Sequence, residues 1–197
     1  MRTVAVIPAR MGSSRLPGKV MTPVMGKPLL GHLLDRLQCC SVLDEIVVAT
    51  SVDAGNDKIG TYCEGRGIPV FRGSESDVLD RLLQALNWLE AQTGVLVFGD
   101  CPLIDPTIIT KAVLFFESHL EYDFVSNDLS TTWPPGMETE VFRVSALADS
   151  AQRCMDASVR EHGTFHMRQH PDLYRLYNLD APPHLRRPEF YLEVDAP

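Results

Sequence analysis

The sequence predicts an α/β protein built on a mostly parallel central sheet with helices on both faces. Three observations carry that reading. Short runs rich in Val and Ile alternate with longer stretches of helical periodicity through the first 120 residues. The runs are apolar throughout rather than at every second position, the pattern of strands buried on both faces. Gly, Pro and Ser cluster directly after the first run, where an α/β sheet places its ligand-binding loops. A chain of 197 residues is expected to form one domain spanning 1–197.

The elements follow in order. Thr3–Pro8 (TVAVIP) is too short for a helix and reads as a buried strand. ARMGSSRLPGKVMTPVMGK has no sustained periodicity and reads as a long loop. Pro28 opens a helix in its first turn, with Leu29, Leu30, Leu33, Leu34 and Leu37 on one face. Residues 45–50 (EIVVAT) form a second strand, 56–66 a helix ending at Gly67, and 68–71 a third strand. Ser76 or Asp77 caps a helix over 78–91. Residues 94–98 (GVLVF) form a fourth strand that ends in Gly99-Asp100-Cys101-Pro102, and Pro106 starts a helix toward His119. Beyond Tyr122 the rhythm changes. Strands are expected at 124–126 and 138–142 around the turn Trp133-Pro134-Pro135-Gly136, helices at 145–155 and 159–170, and strands at 173–178 and 190–194. The chain stops directly after this last apolar run, an unusual place for a fold to end, so a truncation or a further tail is expected.

Composition excludes several classes. A net charge of −8 argues against a general nucleic-acid binder but allows a local nucleotide site. No apolar run approaches the ~20 residues of a membrane helix, and the N-terminus enters a strand pattern without a leader, so no membrane partner and a cytoplasmic location are expected. Five cysteines without a CxxC pair suggest neither a disulfide framework nor a zinc knuckle.

The chemistry concentrates in the loop after the first strand, which holds Arg10, Gly12, Ser13, Ser14, Arg15, Gly18 and Lys19. Backbone N–H groups, hydroxyls and cations beyond the carboxyl end of a parallel strand suit a polyphosphate. The spacing is neither a Walker A loop nor GxGxxG. A solvated basic surface loop is the competing reading, and the position after a buried strand weighs against it. Asp100 ends the fourth strand, and Asp195 follows the last strand candidate; two carboxylates converging on one sheet edge would hold Mg²⁺. A turn aspartate is the alternative for Asp100. His162 and His166 lie four apart on an expected helix but lack a third ligand at metal-site spacing. Cys101 has no partner base nearby in sequence.

These segments occur in a familiar order. VIPARMGSSRLPGKVMTPVMGKPLLGHLLDRL, SESDVLDRLLQAL, FGDCPLIDP, DFVSND, PPGMETEVF, REHGTFHMRQHPDLYRL and YLEVDAP together resemble the cytidylyltransferase family. That family includes CMP-sialic acid and CMP-Kdo synthetases and the spore coat polysaccharide biosynthesis protein F group, which matches best. The resemblance implies a Rossmann-like nucleotidyltransferase (nucleotide-diphospho-sugar transferase) fold with a small α+β acceptor and dimerisation subregion near 128–180. It implies CMP transfer from CTP to an anionic acceptor of the 2-keto-3-deoxy sugar acid type, in surface polysaccharide biosynthesis. Arg10, Ser13, Arg15 and Lys19 would contact the triphosphate, with Gly12 and Ser14 in the same loop. Asp100 and Asp195 would hold Mg²⁺. Pro8 and Ala9, with Arg72, Gly73 and Ser74, would lie near the cytosine. Asn127, Glu138, Arg160 and His162 match blocks near the acceptor.

Relatives usually continue past the final aspartate into another helix. Gly163 stands where they often carry Val, and Glu138 where they often carry Asp. Both differences bear on acceptor choice.

The implied reaction is in-line attack of an acceptor oxygen on the α-phosphorus with loss of pyrophosphate, achieved by positioning and charge stabilisation. Lys19, Arg15 and Mg²⁺ would neutralise the phosphates and Arg10 would orient them. Arg160 and Arg168 are candidate carboxylate partners, against the alternative of solvent-facing helix arginines. A homodimer through Trp133, Met137 and Phe142 is expected from the relatives, although the same residues would also suit a monomer core. Two alternatives stand beside this reading: a nucleotidyltransferase with a phosphonate or sugar phosphate acceptor, and a non-catalytic nucleotide-binding homologue.

Overall fold

The computed structural model describes residues 1–12 and 16–194. The first half is built from β1 (Thr3–Pro8), the hairpin β2 (Pro23–Val24) and β3 (Lys27–Pro28), α1 (Leu29–Leu37), β4 (Glu45–Ser51), α2 (Asp57–Glu64), β5 (Val70–Gly73), α3 (Val78–Trp88), β6 (Thr93–Leu96) and α4 (Pro106–Ser118). The second half adds β7 (Phe124–Ser126), β8 (Glu140–Arg143), α5 (Val144–Arg153), α6 (Ala157–Arg160), α7 (Phe165–Gln169) and β9 (Leu176–Asn178).

Seven strands form the sheet in the order β5-β4-β1-β6-β8-β7-β9. The pairs β5–β4, β4–β1 and β1–β6 are parallel, and β8 runs antiparallel to both β6 and β7. The sheet is mostly parallel, as expected. Alternation along β1 divides its side chains between two cores. Ala5 and Ile7 pack with α1, α2 and α4 through Leu30, Leu34, Ile59 and Phe116. Val4 and Val6 pack with α3 and α5 through Leu79, Leu82, Leu86 and Leu147. All five leucines predicted for the α1 face are buried. Each contributes roughly 1.5–3 kcal/mol of apolar burial. In the other core, Gly94 faces Phe142 across the β6–β8 ladder, and a Cβ there would meet that ring at 2.5 Å.

Several boundaries differ from the sequence reading for local reasons. The expected loop contains the hairpin β2–β3, whose turn residues Met25 and Gly26 both have positive φ (50° and 80°), as a two-residue hairpin turn requires. Pro28 closes β3 and sits extended ahead of α1 rather than inside it. The third strand starts at Val70 because Gly67 (φ 68°) and the Ile68 N–H to Cys63 carbonyl bond finish the preceding turn. Asp77, not Ser76, caps α3 by accepting from the Asp80 N–H at 2.9 Å. The single helix expected over 159–170 is broken into α6 and α7 at Gly163 (φ 60°), which sits against Leu82.

The strand expected at 190–194 is not formed. Both neighbours of β6 are already occupied, by β1 and β8. The segment arriving beside Asp100 bonds to loops, Leu192 N–H to the Pro135 carbonyl and Val194 N–H to the Asp100 carbonyl.

Candidate active site

The ends of β1 and β6 open into a cavity of about 590 Å³, at the place where the sheet changes from parallel to antiparallel pairing. Pro8, Ala9, Gly99 and Asp100 form its floor, and the α6–α7 turn closes it from above. Gly18 takes a left-handed conformation (φ 73°) that turns the chain into a short 3₁₀ segment starting at Lys19. This buries Lys19 in the wall, where its Nζ donates to Asp100 Oδ2 at 2.6 Å.

Arg10 spans the cavity mouth. Its Nη2 donates to Glu161 Oε1 at 2.9 Å, and its Nη1 lies 3.5 Å from Glu75 Oε1. The Arg10 hydrogen bond and charge hold the Glu161 carboxyl below its usual range. On the opposite wall, one guanidinium serves two carboxylates: Arg168 Nη1 donates to Asp128 Oδ2 at 2.9 Å and to Glu140 Oε1 at 2.7 Å. Thr164 donates its hydroxyl to the other Glu140 oxygen. Burial and the nearby Asp128 charge push the Glu140 carboxyl up to about 7, against the opposing effects of Arg168 and Thr164.

Of the residues singled out in the sequence, Pro8, Ala9, Arg10, Lys19, Asp100, His162 and Arg168 share this one cavity. Ser13, Ser14, Arg15 and Asp195 lie outside the described residues, and Gly12 stands exposed at the end of the described part of the loop. Arg72, Gly73 and Ser74 lie at the end of β5, not in the cavity wall. The Arg72 guanidinium is turned onto the Ser51 and Asp53 carbonyls and the Asp57 carboxylate.

Arg160 is likewise committed elsewhere. It bonds Asp77 and the carbonyls of Ala151 and Cys154, tying α3, α5 and α6 together. Asn127 is buried as a loop clamp, donating to the Met137 carbonyl and accepting from the Thr139 N–H. Glu138 accepts the Gly136 N–H at 2.7 Å and faces a smaller recess of about 250 Å³ with Asp100, Cys101, Asp128 and Glu193.

His166 packs away from His162, against Ser150 Oγ at 3.2 Å and the His170 ring at 4.2 Å. Burial, then the Asp100 charge, pushes the Cys101 thiol well up, which disfavours the thiolate that a nucleophile needs. Trp133 and Phe142, considered for a dimer contact, are buried within the chain's own packing.

Arg81, Glu140, Glu161 and Thr164 line the cavity but were not singled out from the sequence. Glu161 and Thr164 sit inside the quoted REHGT block. Glu140 lies inside the quoted PPGMETEVF block and Arg81 inside SESDVLDRLLQAL, but neither is given a role there. For a divalent cation, Asp100 offers the hard oxygen donors that Mg²⁺ takes. The Val194 N–H bond to the Asp100 carbonyl brings the residue preceding Asp195 to the same place. Among the described residues, no group of three His, Cys, Asp or Glu side chains is arranged to hold a metal.

Comparison with known proteins agrees with this geometry. Residues 4–195 match the sequence profile of a family described as cytidylyltransferase. The spore coat polysaccharide biosynthesis protein SpsF of Bacillus subtilis is 33% identical over 97% of this chain and 80% of its own length. An 8-amino-3,8-dideoxy-manno-octulosonate cytidylyltransferase of Shewanella baltica is 40% identical over 60% of this chain and 49% of its own. Among solved structures, a cytidylyltransferase from Leptospira borgpetersenii superposes with a TM-score of 0.93 at 31% identity, covering 99% of this chain and 82% of that one. A CMP:2-keto-3-deoxy-manno-octonic acid synthetase complexed with CTP shares the fold, with a TM-score of 0.73 at 20% identity over all of this chain and 94% of that one. The chain belongs to the cytidylyltransferase family and is a CTP-dependent nucleotidyltransferase.

Proposed function

We propose that this enzyme transfers CMP from CTP to an anionic sugar acid of the 2-keto-3-deoxy type, releasing pyrophosphate, in the making of a surface polysaccharide. The observation that carries this reading is the pairing of Lys19 with Asp100 at the sheet edge, in one cavity with Arg10 and the Arg168 cluster. The named activities of the relatives support the choice of acceptor.

In this account the triphosphate takes over Lys19 and Arg10 from the carboxylates that now hold them, Asp100 and Glu161. Both cations then face phosphate oxygens, and the Asp100 carboxylate is released. Arg15 and Ser13 complete the triphosphate contacts from the loop. Mg²⁺ would be held by Asp100 with Asp195, and when bound supplies positive charge at the phosphate oxygens. The acceptor oxygen forms a bond to the α-phosphorus, the bond to the pyrophosphate oxygen breaks, and the acceptor's proton leaves to solvent. Lys19 and Arg10 stabilise the charge that builds on the leaving pyrophosphate. The acceptor lies under the α6–α7 turn, within reach of His162 and Thr164.

The test is pyrophosphate release from CTP and Mg²⁺ with a panel of acceptors: 3-deoxy-manno-octulosonate, its 8-amino analogue, N-acetylneuraminate, a hexose 1-phosphate and a phosphonate. Turnover confined to the sugar acids supports the reading. Turnover with the phosphate or phosphonate alone replaces the acceptor class. CTP binding without turnover on any of them supports the non-catalytic alternative.

A further inference from the structure

Glu140 is an unusual residue for its place. It lies in β8, between β6 and β7 in the middle of the sheet, and is 1% exposed. A buried carboxylate is costly unless it is fully paired. The pairing here is one charge short: Asp128 and Glu140 share the single guanidinium of Arg168. The charged groups facing Glu140 are Asp128, in the loop after β7, and Arg168, on α7; its cross-strand neighbours Leu96 and Ser126 carry no charge. A cluster with one carboxylate in excess takes up a proton readily, and burial with the Asp128 charge brings the Glu140 carboxyl to about 7.

Thr164 links this acid to the cavity. It stands at the N-cap of α7, where a threonine hydroxyl ordinarily accepts from an N–H of the first turn. Here the side chain makes no cap bond and donates to Glu140 Oε2 instead. Its one proton is spent on Glu140, and its oxygen can still accept. Thr164 and Glu140 both line the cavity, under the turn where the acceptor is placed.

We propose that Thr164 and Glu140 form the route by which the acceptor's proton leaves: the acceptor hydroxyl gives its proton to Thr164 Oγ1 as the Thr164 proton passes to Glu140 Oε2. This inference rests on the proposed transfer of CMP to a hydroxyl of a sugar acid. The acceptor oxygen bonds to the α-phosphorus, and pyrophosphate departs with the electron pair of the broken bond. Glu140 becomes a neutral acid, which leaves one carboxylate, Asp128, on one guanidinium. Once product has gone, Glu140 returns the proton to solvent. Only its ionised form can receive the next one, so kcat rises with pH through about 7 and then levels off. A phosphate or phosphonate oxygen arrives already ionised above neutral pH and has no use for such a route.

The experiment is the pH profile of kcat for pyrophosphate release at saturating CTP, Mg²⁺ and 3-deoxy-manno-octulosonate, for the full chain and three variants. The wild type should lose activity in acid below about pH 7. Thr164→Val removes the hydroxyl at nearly constant volume and should lower kcat by about 10²–10⁴-fold, with the KM for CTP little changed. Thr164→Ser restores a hydroxyl and should recover most of that loss. Glu140→Gln should lower kcat to a similar extent and abolish the acid limb.

Equal kcat for Thr164→Val and Thr164→Ser overturns the relay, as does an acid limb that persists in Glu140→Gln. If the variants do not fold, the wild type decides alone: a kcat that stays flat from about pH 6 to 8 overturns it. Turnover with the hexose 1-phosphate or the phosphonate alone also overturns it, while leaving CTP as the donor. A wild type that releases no pyrophosphate with any acceptor removes the transfer reaction itself, and the relay with it.

Discussion

Replacing Arg168 with Met tests whether the far wall of the cavity is held by one shared cation. Arg168 is mostly buried between Asp128 and Glu140, and the Glu140 side chain is only 1% exposed. Removing one partner of a buried ion pair costs about 3–5 kcal/mol, because the remaining charge stays buried without compensation. With an unfolding entropy of about 2.1 cal/mol/K per residue, that corresponds to a fall in Tm of about 7–12 °C for a chain of this length.

The pH dependence has a definite sign. The Glu140 carboxyl sits above its ordinary value in the folded protein, at about 7, so its contribution to stability is complete below the ordinary carboxylate range and is lost as pH rises through 7. Without Arg168 the upward push grows, so the deficit should be largest above neutral pH and shrink as acid neutralises Glu140. Thermal unfolding followed by circular dichroism at mildly acidic and mildly alkaline pH reads both effects. Adding Glu140→Gln and Asp128→Asn to the variant should restore most of the loss. A Tm for Arg168→Met within about 2 °C of wild type at alkaline pH would show that the shared-cation account is wrong.

Three further outcomes follow from the same geometry. Lys19→Ala removes a cation facing the phosphates and should lower kcat by about 10²–10³-fold with a much smaller change in Tm; steady-state pyrophosphate release decides, and an unchanged kcat refutes the role. Gly163→Ala places a Cβ 2.8 Å from Leu82 Cδ1 at a residue with φ 60°, and denaturant unfolding should show a loss of about 1–3 kcal/mol. Iodoacetamide on the native protein should alkylate Cys39, which is exposed, and spare the buried Cys101; peptide mapping that finds Cys101 modified at a similar rate contradicts its placement.

Much of this architecture can be read directly from residue patterns. The leucine face of α1 and the unbroken apolar runs of β1 and β4 are local signals, and each lands where periodicity places it. Asp105 and Pro106 mark the start of α4 in the same way, with the Asp105 carboxylate accepting the Thr107 N–H. The misplacements have tertiary causes. Residues 190–194 are apolar enough for a strand, but the sheet order leaves no open neighbour beside β6. The break at Gly163 depends on Leu82 from a different helix.

The site shows the same division. Asp100 is legible because it closes the fourth apolar run, and Lys19 because it belongs to the Gly- and Ser-rich basic loop that follows the first. Arg160 fits a family block yet is used to tie three helices together, which no local pattern reveals. Glu140 matters through partners far away in sequence, Arg168 and Thr164.

The central claim is that the cavity at the ends of β1 and β6 binds CTP. It is tested most directly by titrating the protein calorimetrically with CTP, UTP, ATP and GTP, each with and without Mg²⁺. The account predicts selective binding of CTP that tightens when Mg²⁺ is present. Equal affinity for all four nucleotides, or no binding by a folded sample, would contradict it.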